Sequence, residues 1–337
     1  MSEAIVRKTI DIFLAGDDLS RDQIELFFDA LISGSDESLI ARSLAAWNEK
    51  GTSEDELFEF ASIMRRRMKK LPSRYETFVD IVGTGGSKVK TFNISTAAAF
   101  VIAGAGVPVA KHGNRAATSN SGSADVLAEL GIDVDLETHI TEKQFNDYGI
   151  CFMFAPRFHS LSPTLAKARR SIDRPTIFNN LGPLCNPASA PHQVIGVWHE
   201  SMIGKTSTVL RRFGAKRSWV VHGENGLDEI SLTGKTLIAE INGDDIKHFQ
   251  ISHEDFGIDL ASGILPSGCD AVESASLIRQ IVGNCRAGSN EEKLVLMNAA
   301  AAIYLCGGAL SLAEAYTIAE AGIRNGSAKQ KLDLLTR

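Results

Sequence analysis

Apolar residues recur at three- and four-residue spacing as far as about residue 70; beyond that they gather in short runs separated by helix-like stretches. Ser20-Arg-Asp-Gln23 has the form of a capping box, and Ile24, Phe27, Phe28 and Leu31 follow on one helical face before Gly34. Ser35 or Asp36 suits the cap of a next helix, which carries Leu39, Ile40, Leu44 and Trp47 and stops at Gly51. Ser53-Glu-Asp-Glu56 is a second capping box, with Leu57, Phe60, Ala61 and Met64 behind it. The spacing predicts four short amphipathic helices with no strand between them, a small helical layer whose apolar outer face suits a dimer contact. The basic run Arg65-Arg-Arg-Met-Lys-Lys70 reads as the solvated C-terminal end of the last of these, where cations favour the helix dipole.

From Thr77 the pattern alternates. Phe78, Val79, Ile81 and Val82 read as a strand, followed by a glycine-rich turn, a helix N-terminus and a long small-apolar run from Ala97 to Ala110. Further strands are expected at Val107–Lys111, Cys151–Phe154, Val194–Trp198, Ser218–Val221 and Thr236–Glu240. Helices are expected at Ser123–Leu130 and from Thr141 to near Gly149, then over 270–283, 292–305 and 311–324 before a polar tail. Residues 160–190 read as irregular, crowded by prolines and partly helical around Leu165 to Ser171. The alternation predicts an α/β fold: a mainly parallel central sheet covered by helices, with residues 1–72 as a smaller helical domain and 73–337 as the α/β domain, joined through the segment near 160–190.

Composition narrows the function. A net charge of −6 argues against a nucleic-acid footprint. The longest apolar run, Ala97–Ala110, contains two glycines and is too short to span a bilayer, and the first residues lack the pattern of a secretion signal. Five cysteines, odd in number and never in C-x-x-C spacing, suit reduced thiols in the cytoplasm and no zinc site.

Candidate chemistry lies in four stretches. In Gly83-Thr84-Gly85-Gly86-Ser87, before Thr91, Asn93, Ser95 and Thr96, glycines let backbone N–H groups approach an anion and the following helix N-terminus adds free donors, which suits phosphate. Neither the dinucleotide-binding nor the P-loop spacing is present. Lys111-His112-Gly113-Asn114-Arg115, running on through Ser119 to Ser123, follows a strand and precedes a helix, so it shares the crevice at the strand C-terminal ends. Asp228-Glu229, also after a strand, suits Mg²⁺ held through carboxylates and substrate phosphates. Arg169-Arg170 could offer a fork to a carboxylate. His159 and His222 are acid–base candidates without recognisable partners.

With these stretches, Phe154-Ala-Pro156, Thr176-Ile-Phe-Asn179, Leu181-Gly-Pro183 and Asn186-Pro-Ala188 in order, nearly the whole chain resembles the anthranilate phosphoribosyltransferase family. The resemblance implies a nucleoside-phosphorylase-like fold and transfer of phosphoribosyl from 5-phosphoribosyl-1-pyrophosphate (PRPP) to anthranilate in tryptophan biosynthesis. It implies phosphoribosyl and pyrophosphate contacts at Gly83, Gly86, Thr91, Asn93, Ser95, Thr96, Lys111, Asn114, Ser119 and Ser123, with Ser87, His112, Gly113 and Arg115 expected beside them as further substrate-binding residues. It places Mg²⁺ at Ser95, Asp228 and Glu229, anthranilate at Gly83, Asn114 and Arg169, and catalysis on Asn114, Arg169 and Lys111. Against the family pattern, Ser87 replaces Asp, His159-Ser160-Leu161-Ser162 replaces a His-Pro run, Asn120 replaces Lys or Leu, and Ile172-Asp173 replaces an apolar-Gly pair. Because several of these changes fall in the acceptor half, a pentosyltransferase with a different acceptor is the alternative, and a non-catalytic nucleic-acid-binding relative is a further one.

Overall fold

The computed structural model describes residues 2–87, 89, 91–116, 121–172, 174–259 and 268–336. Helices α1 (Ser2–Leu14), α2 (Arg21–Ile32), α3 (Glu37–Lys50) and α4 (Glu54–Arg67) form the expected bundle, with both capping boxes closed and Asp36 as the N-cap of α3. Phe13, Phe27, Trp47 and Phe60 stack at its centre, with neighbouring ring centroids 5.1–6.5 Å apart. Glu56 is buried there, and its charge is compensated. It accepts from the Leu19 N–H, the Trp47 Nε1–H and Lys50 Nζ at 2.7–3.1 Å. The basic run is not wholly solvated. Arg66 and Arg67 are exposed, but the Arg65 guanidinium lies 4.2 Å from the Phe213 ring centroid and donates to the Leu184 carbonyl. The apolar stem of arginine makes that burial favourable.

The remainder alternates β1 (Val79–Gly83), α5 (Ile94–Gly104), β2 (Val109–Gly113), α6 (Ser123–Glu129), α7 (Thr138–Tyr148), β3 (Ile150–Phe154), α8 (Ala155–Phe158), α9 (Pro163–Arg170), α10 (Ile177–Leu184), β4 (His192–Gly196), α11 (Met202–Arg212) and β5 (Arg217–Gly223). It continues with β6 (Thr236–Asn242), β7 (Asp245–Ile251), a single 3₁₀ turn, α12 (Ala271–Val282), α13 (Asn290–Leu305), α14 (Leu312–Arg324) and α15 (Ser327–Leu335). The seven strands form one sheet in the order β3-β2-β1-β4-β5-β6-β7, parallel except where β6 and β7 turn back. In register, Gly83 stands beside Gly196, Gly113 beside Phe154, and Gly196 beside Val221, so the strand C-termini end along one line. That line carries the site.

Three expectations give way. Residues 160–190 hold two regular helices, α9 and α10, since Ser162 caps the first and the Thr176 N–H bonds to Asn179 Oδ1 at the start of the second. Pro183 falls in the last turn of α10, where the helix is already ending. β7 follows a two-residue Gly243-Asp244 loop, with Gly243 at φ +59°, a hairpin signal that its exposed, polar face obscured. The polar tail is a helix: Ala328, Leu332 and Leu335 of α15 are buried, and a Cβ at Gly104 of α5 would stand 2.6 Å from the Ala328 nitrogen. That glycine lets the two helices touch, and each buried leucine of α15 adds about 1.5–3 kcal/mol.

Candidate active site

A cleft of about 500 Å³ opens at the strand C-termini. Its first wall is the turn after β1. Gly85 and Gly86 have φ of +67° and +81°, a conformation that side chains rarely adopt, and the Gly85 N–H donates to Asp228 Oδ2 at 2.8 Å. Ser87 donates to the Gly226 carbonyl at 2.7 Å, so it ties the turn to the acidic loop in place of offering a carboxylate. A Cβ at Gly86 would stand 2.4 Å from Pro175, and the Asn179 amide donates to the Thr84 carbonyl; α10 and its approach thus back the turn. Thr91, Asn93 and Ser95 line the cleft, the last two at the N-terminus of α5. Thr96 is fully buried and does not line it.

The second wall follows β2. Lys111, His112, Gly113, Asn114, Arg115 and Ser123 all line the cleft, whereas Ser119, Asn120 and Asp173 lie outside the described residues. Lys111 is not a free surface cation. It is 2% exposed, its ammonium donates to the Ile81 carbonyl and, at 3.2 Å, to Ser95 Oγ, and burial lowers its pKa while the Asp80 and Glu229 carboxylates oppose that shift. Asp80, fully buried in β1, accepts from the His112 N–H at 3.2 Å and from Asn186 Nδ2 at 2.8 Å. Burial pushes its pKa up to about 6 against the pull of Lys111. Asp80 and Asn186 are buried beneath the cleft, bonded to one another and to β2, and sequence reading gave neither a part in the site. The signal for Asp80 was present, as a single carboxylate inside an apolar strand.

Asp228 and Glu229 hang from the β5–β6 connection over both walls. Burial, and then the neighbouring Asp228 charge, push the Glu229 pKa up, while Lys111 and donors from the backbone and side chain of Ser95 draw it down. Two adjacent carboxylates and a hydroxyl form a hard-oxygen set with excess negative charge, which fits Mg²⁺ completed by substrate phosphates and water. Glycines make room for this loop: a Cβ at Gly83 would stand 2.8 Å from Asp228 Oδ2, and one at Gly196 only 1.7 Å from the Asp228 carbonyl. Gly196→Ala is therefore expected to displace the acidic loop. Stability should fall by about 1–3 kcal/mol through overpacking, and turnover by at least about tenfold, measured by denaturant melts and initial rates.

The far end of the cleft is different in kind. Arg169 lies 5.0 Å from the Phe178 ring centroid, and burial, assisted by Arg170, lowers its pKa to about 10. No carboxylate among the described residues forms an ion pair with it within 4 Å. His112, from the second wall, and His159 face one another with ring centroids 5.1 Å apart, and burial holds their pKa values down at about 3 and about 4. Each has a buried Nε2 without a hydrogen-bond partner among the described residues. His222 instead bonds through Nδ1 to the Val197 carbonyl and does not line the cleft. Leu161, from the segment that departs from the family pattern, lines this end together with Met64 of the bundle.

Comparison with known proteins places this geometry. Residues 75–329 match the glycosyl transferase family a/b domain, and residues 7–68 match the helical bundle domain of the same family. An anthranilate phosphoribosyltransferase of Azorhizobium caulinodans is 40% identical over 323 residues, 96% of this chain and 93% of that relative. The crystal structure of anthranilate phosphoribosyltransferase from Thermus thermophilus superposes with a TM-score of 0.86 at 32% identity, covering 97% of this chain and 98% of that one. The Saccharomyces cerevisiae enzyme in complex with PRPP and Mg gives 0.87 at 27% identity, covering 98% and 96%.

Proposed function

The chain belongs to the anthranilate phosphoribosyltransferase family, and from that premise we propose that its cleft transfers the phosphoribosyl group of PRPP to the amine of anthranilate. The observation that carries the reading is the union of two unlike ends in one cleft. One end is built from glycine turns, a helix N-terminus and two carboxylates; the other presents a half-buried guanidinium with no ion-pair partner among the described residues.

The first end suits the phosphoribosyl and pyrophosphate groups, held by the Gly85–Gly86 turn, Thr91, Asn93, Ser95, Asn114 and Ser123. Asp228, Glu229 and Ser95 would hold Mg²⁺, which supplies neutralisation of the charge that builds on pyrophosphate as it leaves. The second end suits the acceptor. Arg169 can grip the anthranilate carboxylate with two parallel N–H donors, and its burial makes that pairing stronger than at a surface. In the reaction the C1–O bond to pyrophosphate breaks, its electron pair leaves with the pyrophosphate, and the amine lone pair forms the N–C1 bond; water then takes the ammonium proton. An aromatic amine is already a neutral nucleophile, so alignment at C1 supplies much of the rate.

The test is direct. With PRPP and Mg²⁺ the fluorescence of anthranilate should decay, and a chelator should stop it. Intact PRPP binding with no decay would remove anthranilate as the acceptor, and a screen of aromatic amines and nucleosides would then find the alternative. Assembly as a homodimer through the N-terminal helices belongs to the same proposal and rests on Leu14 and Leu26, which are 66% and 53% exposed on α1 and α2. So does operation in the cytoplasm, which rests on the five free cysteines.

A further inference from the structure

The connection between β2 and α6 supplies Asn114, Arg115 and Ser123 to the cleft, and its two ends meet on one carboxylate. Asp125, in the first turn of α6, accepts from the Ala116 N–H at 2.9 Å and the Gly122 N–H at 3.0 Å through Oδ2. Its Oδ1 takes Arg115 Nη1 at 3.0 Å. The two ends also touch directly. The Ala124 N–H and Ser123 Oγ donate to the Asn114 carbonyl at 3.2 and 3.4 Å, and a Cβ at Gly122 would stand 2.4 Å from the Ala116 nitrogen. From this closed base, Ser121 Oγ reaches Asn93 Oδ1 of the first wall at 2.9 Å.

A helix-capping carboxylate needs only the helix's own first N–H groups. Asp125 reaches outside the helix, to both Ala116 and Arg115 on the β2 side. We infer that Asp125 is a positioning residue for the phosphoribosyl half of the site: it closes the base of the β2–α6 connection, so that Asn114 and Ser123 stand side by side toward the substrate. The inference rests on the PRPP reading above. Asp125 itself need not touch substrate. By holding the Arg115 guanidinium it also keeps that cation's place fixed beside Phe154, whose ring centroid is 5.8 Å away.

The experiment is calorimetric titration of the full-length protein with PRPP and Mg²⁺, without acceptor, followed by steady-state kinetics on both substrates. Asp125→Ala removes all three hydrogen bonds, and the PRPP Kd should rise about tenfold. The anthranilate KM at saturating PRPP should rise by a clearly smaller factor than the PRPP Kd, because Arg169, which faces the acceptor carboxylate, stands on α9. Asp125→Asn keeps the shape and one accepting oxygen, so it should recover part of the loss, to about threefold. This near-isosteric variant also keeps the test available if the alanine variant does not fold. Wild-type PRPP affinity in both variants overturns the inference, as does an anthranilate KM that rises by the same factor as the PRPP Kd. Absence of PRPP binding in the wild-type protein overturns the reading on which it rests, and the inference with it.

Discussion

An Asp228→Asn enzyme is expected to lose two to three orders of magnitude in kcat/KM for PRPP and to need more Mg²⁺ for half of its remaining rate. The substitution is nearly isosteric, and an amide oxygen can still accept the Gly85 N–H that Asp228 Oδ2 now accepts at 2.8 Å. The loop therefore keeps its place between Gly83 and Gly196, and what changes is charge. One of two carboxylates is gone from a site that must neutralise a departing pyrophosphate. A metal contributes several kcal/mol of charge stabilisation, and each 1.36 kcal/mol corresponds to about tenfold in rate. Initial rates across a Mg²⁺ titration measure both effects. An unchanged titration curve would remove Asp228 from the metal.

Arg169→Ala should act at the opposite end. Its guanidinium is partly desolvated against Phe178, so the carboxylate of the acceptor would lose an ionic partner shielded from solvent. Losing one member of such a pair costs about 2–5 kcal/mol, so the anthranilate KM should rise from about thirtyfold to several thousandfold. The PRPP KM should change by less than about threefold. Arg169→Lys should restore little, since an ammonium lacks the planar fork. Thermal stability should change little, because a half-buried cation without an ion-pair partner adds little to the protein alone. Equal increases in both KM values would move Arg169 out of the acceptor end.

How legible these features were in the sequence depended on whether their causes were local. The capping boxes at Ser20 and Ser53, the glycine turn after β1 and the small-residue helix α5 are decided by neighbours along the chain, and each was readable. The β2 strand starts at Val109, two residues later than its apolar pattern suggested, because Pro108 has no N–H to give. Helix α7 begins at Thr138, ahead of Thr141, whose hydroxyl bonds back to the Glu137 carbonyl from inside the helix. Helix α15 was hidden because its apolar residues are few and its partner, Gly104, lies more than two hundred positions away. In the site, residue types announced phosphate and metal chemistry at Gly83–Ser95 and Asp228–Glu229. They did not announce that Lys111 is turned inward among Asp80, Ser95 and Glu229, that Thr96 is buried, or that Ser87 spends its hydroxyl on Gly226. Those facts depend on which strands stand side by side.

The strand order also sets a timetable for synthesis. The acidic loop sits between β5 and β6, an antiparallel pair that closes locally, whereas β1 must wait for β4, its partner from Val79↔His192 to Gly83↔Gly196. At about 5–20 residues per second on a ribosome, the interval between those strands is roughly 6–23 s. Throughout it, one edge of β1 lacks its neighbour, and the glycine turn has neither Gly196 beside it nor Asp228 to accept the Gly85 N–H. The nascent chain thus carries an open apolar strand edge until Gly196 emerges, and its binding cleft takes shape only after residue 229 has left the exit tunnel.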